Sequence, residues 1–322
     1  MKIAIIGSGF GALATAFDLS KSKNTEIDII DAQQFAGGMA TGIEKAGWRW
    51  SLEEHYHHVF DTDRAFKDFL FELGLRDQLI YKRTKSSTLY NGKIHQIDSP
   101  LSLLRFKEIS FLSRLRTGIV LAFLKILPNG VILEKFKASQ FLSATMGKEA
   151  WQVIWEPLFT SKFGRYKDEI NLSWFWARIN PRTAALGYFQ GGFKRLADLI
   201  VEKLKKMGVK FYFEIQVKKI VKTENKFTLS LLNKNGLVKT KEYDLVISTL
   251  TAPVFAKIID LPELKQDNLV GLGAMTMLLR LKNKLLKDGT YWLNVNEKKW
   301  PFVAVVEHDN YQSSENYNGE SL

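Results

Sequence analysis

Apolar positions along this chain alternate between two spacings: short runs that suit strands and a three-to-four-residue recurrence that suits helices. Lys2 to Ile6 is a β-branched run long enough for one strand buried inside a parallel sheet. Leu13, Ala16, Phe17 and Leu19 then share one helical face, and Ile27 to Ile30 forms a second apolar run. Strand, helix and strand in close succession make a βαβ unit, so the chain is predicted to be α/β. Later helices are predicted after Asp61-Thr62-Asp63, with Phe66, Phe69, Leu70 and Leu73 inward and Gly74 as the stop, and after Gly192, with Phe193, Leu196, Ile200 and Leu204 inward and Gly208 as the stop. Ala138 to Ile170 is predicted helical as a whole.

Strands are predicted at Tyr81–Thr84 and Thr88–Ile97, the second turning at Asn91-Gly92, and at Val209–Phe213. A hairpin-rich layer follows at Gln216–Val221, Phe227–Leu232 and Leu237–Lys241, then strands at Asp244–Thr249, Tyr291–Leu293 and Phe302–Val306. Gly42–Lys45 and Trp48–Ser51 flank Ala46-Gly47 as a further hairpin, leading into a predicted strand, Leu52–Phe60, that would put His55 and His57 on one face and His58 on the other.

The first two strands are joined by Gly7-Ser8-Gly9-Phe10-Gly11-Ala12, a turn that opens a helix. Gly7 allows the reversal, Gly9 allows a pyrophosphate to approach the backbone, and Ala12 is the small residue where helix and strand pack closely. Bare amides and the helix dipole then face an anion. Asp31, followed by Ala32, ends the second strand about twenty residues beyond the glycines, where a carboxylate can accept hydrogen bonds from a ribose diol. A βαβ unit whose glycines serve only the turn is the simpler alternative.

Five residues after Asp31 comes Gly37-Gly38-Met39-Ala40-Thr41. With this the chain resembles the FAD-dependent amine oxidase and protoporphyrinogen oxidase superfamily, and the resemblance moves the expected cofactor from NAD to FAD. Met39 stands where that family usually has an Arg near the diphosphate. The resemblance implies an FAD/NAD(P)-binding Rossmann-like domain of the glutathione-reductase kind, discontinuous over 1–60 and 187–254. It implies an interleaved α+β substrate domain over 61–186 and 255–322. It places Gly191 and Gly192 beside the flavin and the backbone at Val217 on the adenine. It also puts the segment after the glycine pair near the flavin ring, so that Glu54, His55, Tyr56 and His57 could line the redox site and His55, Tyr56 or His57 assist proton movement. Trp155–Gly164 and Trp174–Arg178 resemble substrate-domain segments of the bacterial protoporphyrinogen oxidase-like group, with Lys162, Arg165 and Arg178 as candidates for an acidic substrate. The family continues past residue 322, so a chain lacking its C-terminal part is expected.

Composition narrows this picture without redirecting it. The chain has 322 residues, 46% of them hydrophobic, enough for one large or two intermediate domains. It has no cysteine, which excludes disulfides, thiolate metal sites and a flavin attached through Cys. The N-terminus makes a poor signal peptide, and no run of about eighteen apolar residues is present to span a membrane, so a cytoplasmic protein is expected. A net charge of +12 points to an anionic partner, yet no nucleic-acid module is recognisable. Leu101 to Glu134 mixes apolar and basic residues; it is read as a buried helix of the second domain, with peripheral attachment to an anionic membrane as the alternative. Three of the five histidines gather at His55, His57 and His58, but the predicted strand sends them to opposite faces, so no metal site is expected. His95 is taken as structural.

The reaction the resemblance implies is hydride removal from a small molecule, at a C–H next to nitrogen or along an unsaturated framework. Two alternatives stand beside it: a flavin-dependent isomerase resembling UDP-galactopyranose mutase, and a truncated chain that binds nucleotide without turnover.

Overall fold

The computed structural model describes residues 1–261 and 271–322. In chain order it runs β1 (Lys2–Ile6), α1 (Phe10–Ser20), β2 (Glu26–Ile30), β3 (Gly42–Ile43), β4 (Leu52–Glu53), β5 (Val59–Phe60), α2 (Arg64–Leu73), β6 (Leu79–Arg83), β7 (Lys85–Tyr90), β8 (Lys93–Gln96), α3 (Pro100–Arg105), α4 (Phe111–Ile126), α5 (Ala138–Thr145), α6 (Lys148–Ala150), α7 (Glu156–Phe163) and α8 (Leu172–Ile179). There follow β9 (Ala185–Phe189), α9 (Phe193–Lys206), β10 (Lys210–Tyr212), β11 (Ile215–Lys222), β12 (Phe227–Asn233), β13 (Val238–Tyr243), β14 (Leu245–Ser248), α10 (Ala252–Phe255), β15 (Thr290–Val295) and β16 (Ala304–Val306). The chain divides into two compact units, one of residues 1–57, 67–79 and 188–277, the other of 58–66, 80–187 and 278–322. Of the 255–322 segment expected in the substrate domain, residues 262–270 lie outside the described residues.

The first unit is built on a parallel sheet in the order β10-β2-β1-β14. Its chain order reverses at β1, and the mouth above the carboxyl ends of such strands is where doubly wound folds bind ligands. Ile3, Ala4 and Ile5 are fully buried, as a central strand with both faces covered requires. The antiparallel layer β11-β12-β13 packs on the same core through Val217, Ile220, Leu229 and Leu231.

The second unit holds the mixed sheet β16-β15-β7-β8 and a group of helices closed over Leu124, Leu142, Met146, Phe159, Leu172 and Phe175. The predicted turn at Asn91-Gly92 joins β7 to β8 with positive φ at both residues. The single helix predicted over 138–170 is interrupted. Gly147 takes φ +101° after α5, and Trp151–Trp155 winds as a π-helical turn just before Pro157, whose missing amide cannot donate to the preceding turn.

Two further expectations change. The hairpin around Ala46-Gly47 pairs only Gly42 with Glu53 and Ile43 with Leu52, so the turn is longer than predicted. Residues 52–60 are not one strand: β4 ends at Glu53, and the chain bends through 54–58 before β5. The alternation assigned to the histidines therefore does not apply.

Candidate functional site

The glycine turn sits at the mouth above β1. Gly7 has φ +97°, and a Cβ there would lie 2.4 Å from Thr249 Oγ1, while Thr249 itself donates from both its amide and hydroxyl to Ile6 O at 2.9 Å. No residue but glycine fits that corner. Phe10 to Ala12 open α1 with Gly9 as N-cap; no side chain caps the helix and no acidic residue stands in its first turn. Its amides are thus left for an anion rather than for the protein's own carboxylates.

The second glycine segment closes against the first. Gly37 N donates to Ser8 O at 3.0 Å, and Gly9 and Gly37 form a parallel bridge. A Cβ on Gly38 would be 3.0 Å from Gly9 Cα, so the close approach of the two backbones depends on Gly38 lacking a side chain. The turn after Gly38 ends at Thr41, whose hydroxyl is buried with no hydrogen-bond partner among the described residues. Leaving such a hydroxyl unpaired costs about 1–3 kcal/mol, which a bound polar group would offset.

Asp31 turns its carboxylate toward this mouth. Oδ2 accepts from Ser8 N at 2.7 Å and Ser8 Oγ at 2.6 Å, and Oδ1 accepts from Gln33 N at 2.8 Å. A carboxylate has about four acceptor positions, so capacity remains for a sugar hydroxyl. Ala32 is exposed just past it, and Met39 is 74% exposed, presenting no cation where the resemblance leads one to expect Arg. Val217 is buried beside a register shift between Val217 and Lys219, a bulge that takes the backbone out of the β11-β12 ladder there.

Gly191 and Gly192, both at φ near +90°, lead into α9. Ser51 N and Oγ both donate to Gly191 O at 3.1 Å, and a Cβ on Gly192 would fall 2.2 Å from Ser51 Oγ. Below them lies a group that the local sequence gave no sign of, the carboxyl of Glu53. It is 3% exposed and accepts from Tyr188 OH at 2.8 and 2.7 Å and from Phe193 N at 3.0 Å. Burial pushes its pKa up to about 7, against the opposing bonds from Tyr188 and the Phe193 amide. The sequence marks only that Gly191-Gly192 offers α9 no capping side chain, as Gly9 offers α1 none.

Rings tie these parts together. Phe10 and Phe193 meet edge to face at 6.3 Å, Tyr188 meets Phe193 at 5.6 Å and stacks on Trp50 at 5.9 Å, and the His57 ring lies 6.1 Å from Phe193. His57 is thereby gathered, through Phe193, with Phe10 at the start of α1 and with the Gly191-Gly192 turn. Burial lowers its pKa, and the charge of His55 lowers it further, against the bond from Nδ1 to His55 O. A neutral imidazole at physiological pH results. His55 bonds through Nδ1 to Thr276 Oγ1 at 2.8 Å, and Tyr56 is half exposed, so neither is drawn into the same ring group. Among the described residues, no three or more His, Asp or Glu side chains are grouped to hold a metal ion.

In the second unit Lys162 and Arg178 lie over the same Trp174 ring at 5.3 and 5.4 Å. Burial and the Arg178 charge lower the Lys162 pKa. Arg165 is exposed, donates to Tyr166 OH at 2.7 Å and lies over that ring at 4.8 Å.

Residues 13–278 match the family model described as flavin containing amine oxidoreductase, which takes in most of the chain. The chain belongs to that family. FAD, the cofactor expected from the sequence, is the cofactor of this family's fold, and the glycine mouth, the orphan Thr41 hydroxyl and Asp31 suit it. A curated relative, a 1-hydroxycarotenoid 3,4-desaturase from Flavobacterium sp. (strain P99-3), is 24% identical and covers 80% of this chain. The chain spans only 58% of that protein's length. Among solved structures, a reduced UDP-galactopyranose mutase superposes with TM-score 0.71 at 17% identity, over 99% of this chain and 72% of the other. A putrescine oxidase bound to putrescine gives 0.66 at 13%, over 100% and 74%. These likenesses establish the Rossmann-like flavin fold of the family.

Proposed function

We propose that this chain is an FAD-dependent oxidoreductase of the amine oxidase and protoporphyrinogen oxidase type, in which a small-molecule substrate gives up a hydride from a C–H bond. One observation carries the reading: two glycine segments in backbone contact at an uncapped helix start, with a carboxylate aimed at the same mouth. The residues bracketing that mouth divide the work of holding a dinucleotide. The α1 amides and Gly9 would take the diphosphate, Asp31 a ribose, the backbone at Val217 the adenine, and Gly191 and Gly192 the approach to the ring. When bound, FAD would supply the acceptor for the hydride, which carries both electrons of the broken C–H bond. His57, held neutral by burial, is able to accept a proton, and Tyr56 and His55 stand beside it in the chain. We assign the first compact unit to the cofactor and the second to the substrate, and place the protein in the cytoplasm, peripheral to a membrane. The carotenoid-desaturase relative supports a C–H along an unsaturated framework over one next to nitrogen.

The test is the spectrum of the purified chain after incubation with FAD. A flavin absorbance that survives desalting is expected, with FAD binding weakened roughly tenfold or more, about 1.4 kcal/mol, in Asp31→Ala. A colourless chain that FAD cannot reconstitute overturns the reading. Anaerobic bleaching by a polyene or an amine supports oxidation. Isomerisation of a sugar nucleotide under reducing conditions, without bleaching, would replace it with the mutase chemistry.

A further inference from the structure

Helix α4 is folded with its apolar side outward. Phe111, Leu112, Leu115, Ile119, Phe123 and Ile126 lie within a 120° arc at 100° per residue, and all six are exposed, Leu112 at 63%, Ile119 at 61% and Ile126 at 78%. The opposite arc packs on the core of the second unit through Leu124, with Val120 and Leu121 half-buried beside it, and also buries Ser113 and Thr117. Both buried hydroxyls are internally satisfied: Thr117 Oγ1 donates to Ser113 O at 2.7 Å, and Ser113 Oγ donates to Glu149 Oε2 at 2.8 Å. A surface helix ordinarily carries one apolar stripe, in the core, and α4 carries a second that faces out. The expectation of a buried helix here is therefore corrected: one face of α4 meets the core and the other, also apolar, is exposed. Apolar exposure continues on the flanking segments, at Leu101 and Leu104 before α4 and at Val131 and Ile132 after it. A contiguous exposed patch of this kind marks an interaction surface.

Charge indicates what covers it. Residues 100–137 hold seven Lys and Arg against two Glu. Arg114 and Arg116 turn their guanidiniums onto carbonyl oxygens, of Leu104 and Ser110 and of Ala144 and Thr145, so these bonds leave their positive charge in place. Arg105 and Lys107 in the segment before the helix and Lys135 in the turn after it are exposed. Apolar rings and branched chains bordered by cations suit an interface whose inner layer is hydrocarbon and whose outer layer is anionic. No helix among the described residues is long and apolar enough to cross a membrane, and a 16-residue helix of about 24 Å instead lies in the plane of the surface. We propose that α4 and its flanks dock this protein on the surface of a bilayer containing anionic lipid, the outward stripe sinking among the acyl chains and the basic residues meeting the headgroups. This gives the membrane placement above its surface and lipid class, and it does not depend on flavin.

Co-flotation of the full chain with vesicles tests it, with the flavin spectrum recorded on the same samples. Vesicles of phosphatidylcholine with a third phosphatidylglycerol should carry the protein to the top of the gradient, and pure phosphatidylcholine should bind it at least tenfold more weakly. The exposed pair Ile119→Asp and Phe123→Asp should abolish flotation with circular dichroism and flavin content unchanged, and Lys107→Gln with Lys135→Gln should weaken it in a salt-dependent way. A folded chain left at the bottom with anionic vesicles overturns the proposal. So does equal binding to neutral vesicles, or a vesicle-free dimer that the aspartate pair dissolves, which would make the face a contact between two copies.

Discussion

Glu53 is a carboxyl group whose surroundings set a pH dependence on the first unit. Burial raises its pKa from 4.5 to about 7, so the folded chain holds a proton that the unfolded chain releases. A raised folded-state value means the contribution is full below about pH 4.5 and is lost as pH rises through 7. At about 1.4 kcal/mol per tenfold change in proton affinity, the loss is roughly 3 kcal/mol. Glu53→Gln keeps an acceptor for Phe193 N and for Tyr188 OH while removing the proton equilibrium. Urea unfolding should show wild type losing that stability between pH 4.5 and 7 and the Gln variant nearly flat; parallel curves would discard the assignment. Single residues also mark where the sequence was legible. Gly7, Gly9, Gly37 and Gly38 declare themselves because the backbone they permit is local, and Asp31 because its spacing from the glycines is fixed by one helix and one strand. Glu53 stays hidden because its partners lie 135 and 140 positions away.

At the scale of elements, α9 begins where the chain can be made only with glycine. Gly192 at φ +92° sits against Ser51 Oγ at 2.2 Å and Ser51 O at 2.8 Å, measured from the Cβ it lacks. Gly192→Ala should cost about 2–4 kcal/mol, from strain at positive φ and from overpacking. Ser51→Ala alone, which loses the hydroxyl bond to Gly191 O, should cost about 1 kcal/mol. The double variant should be less unstable than the sum by at least roughly 1 kcal/mol, because the clash with Oγ is relieved while that with the Ser51 carbonyl is not. Strict additivity by chemical denaturation would show that the two positions do not touch. Elements show where sequence pattern stops. Around α4 the sequence shows apolar and basic residues mixed, and that mixture does not state which apolar positions meet the core. The strand read over 52–60 failed for a related reason: alternation is a necessary mark of a strand and not a sufficient one, and the chain pairs only as far as Glu53, opposite Gly42, before it bends.

For the molecule as a whole, the two compact units carry buried titrating groups of opposite sign. His308, in the second unit, is buried, with its ring bonded through Nε2 to Tyr317 OH at 2.8 Å, and burial lowers its pKa from 6.5 to about 3. The folded chain therefore refuses a proton that the unfolded chain accepts. Its contribution is full above about pH 6.5 and is lost as pH falls, by roughly 5 kcal/mol once the pH reaches 3. Glu53 acts on the first unit in the other direction, losing stability as pH rises from 4.5 to 7. Units with separate cores need not unfold together, so scanning calorimetry should resolve two transitions that approach or cross as pH changes. The transition weakened by acid should be the one that His308→Gln makes insensitive to pH, and the one weakened by base should be the one that Glu53→Gln does. A single transition with one pH slope, unmoved by either substitution, would mean that neither buried group governs the unit that contains it.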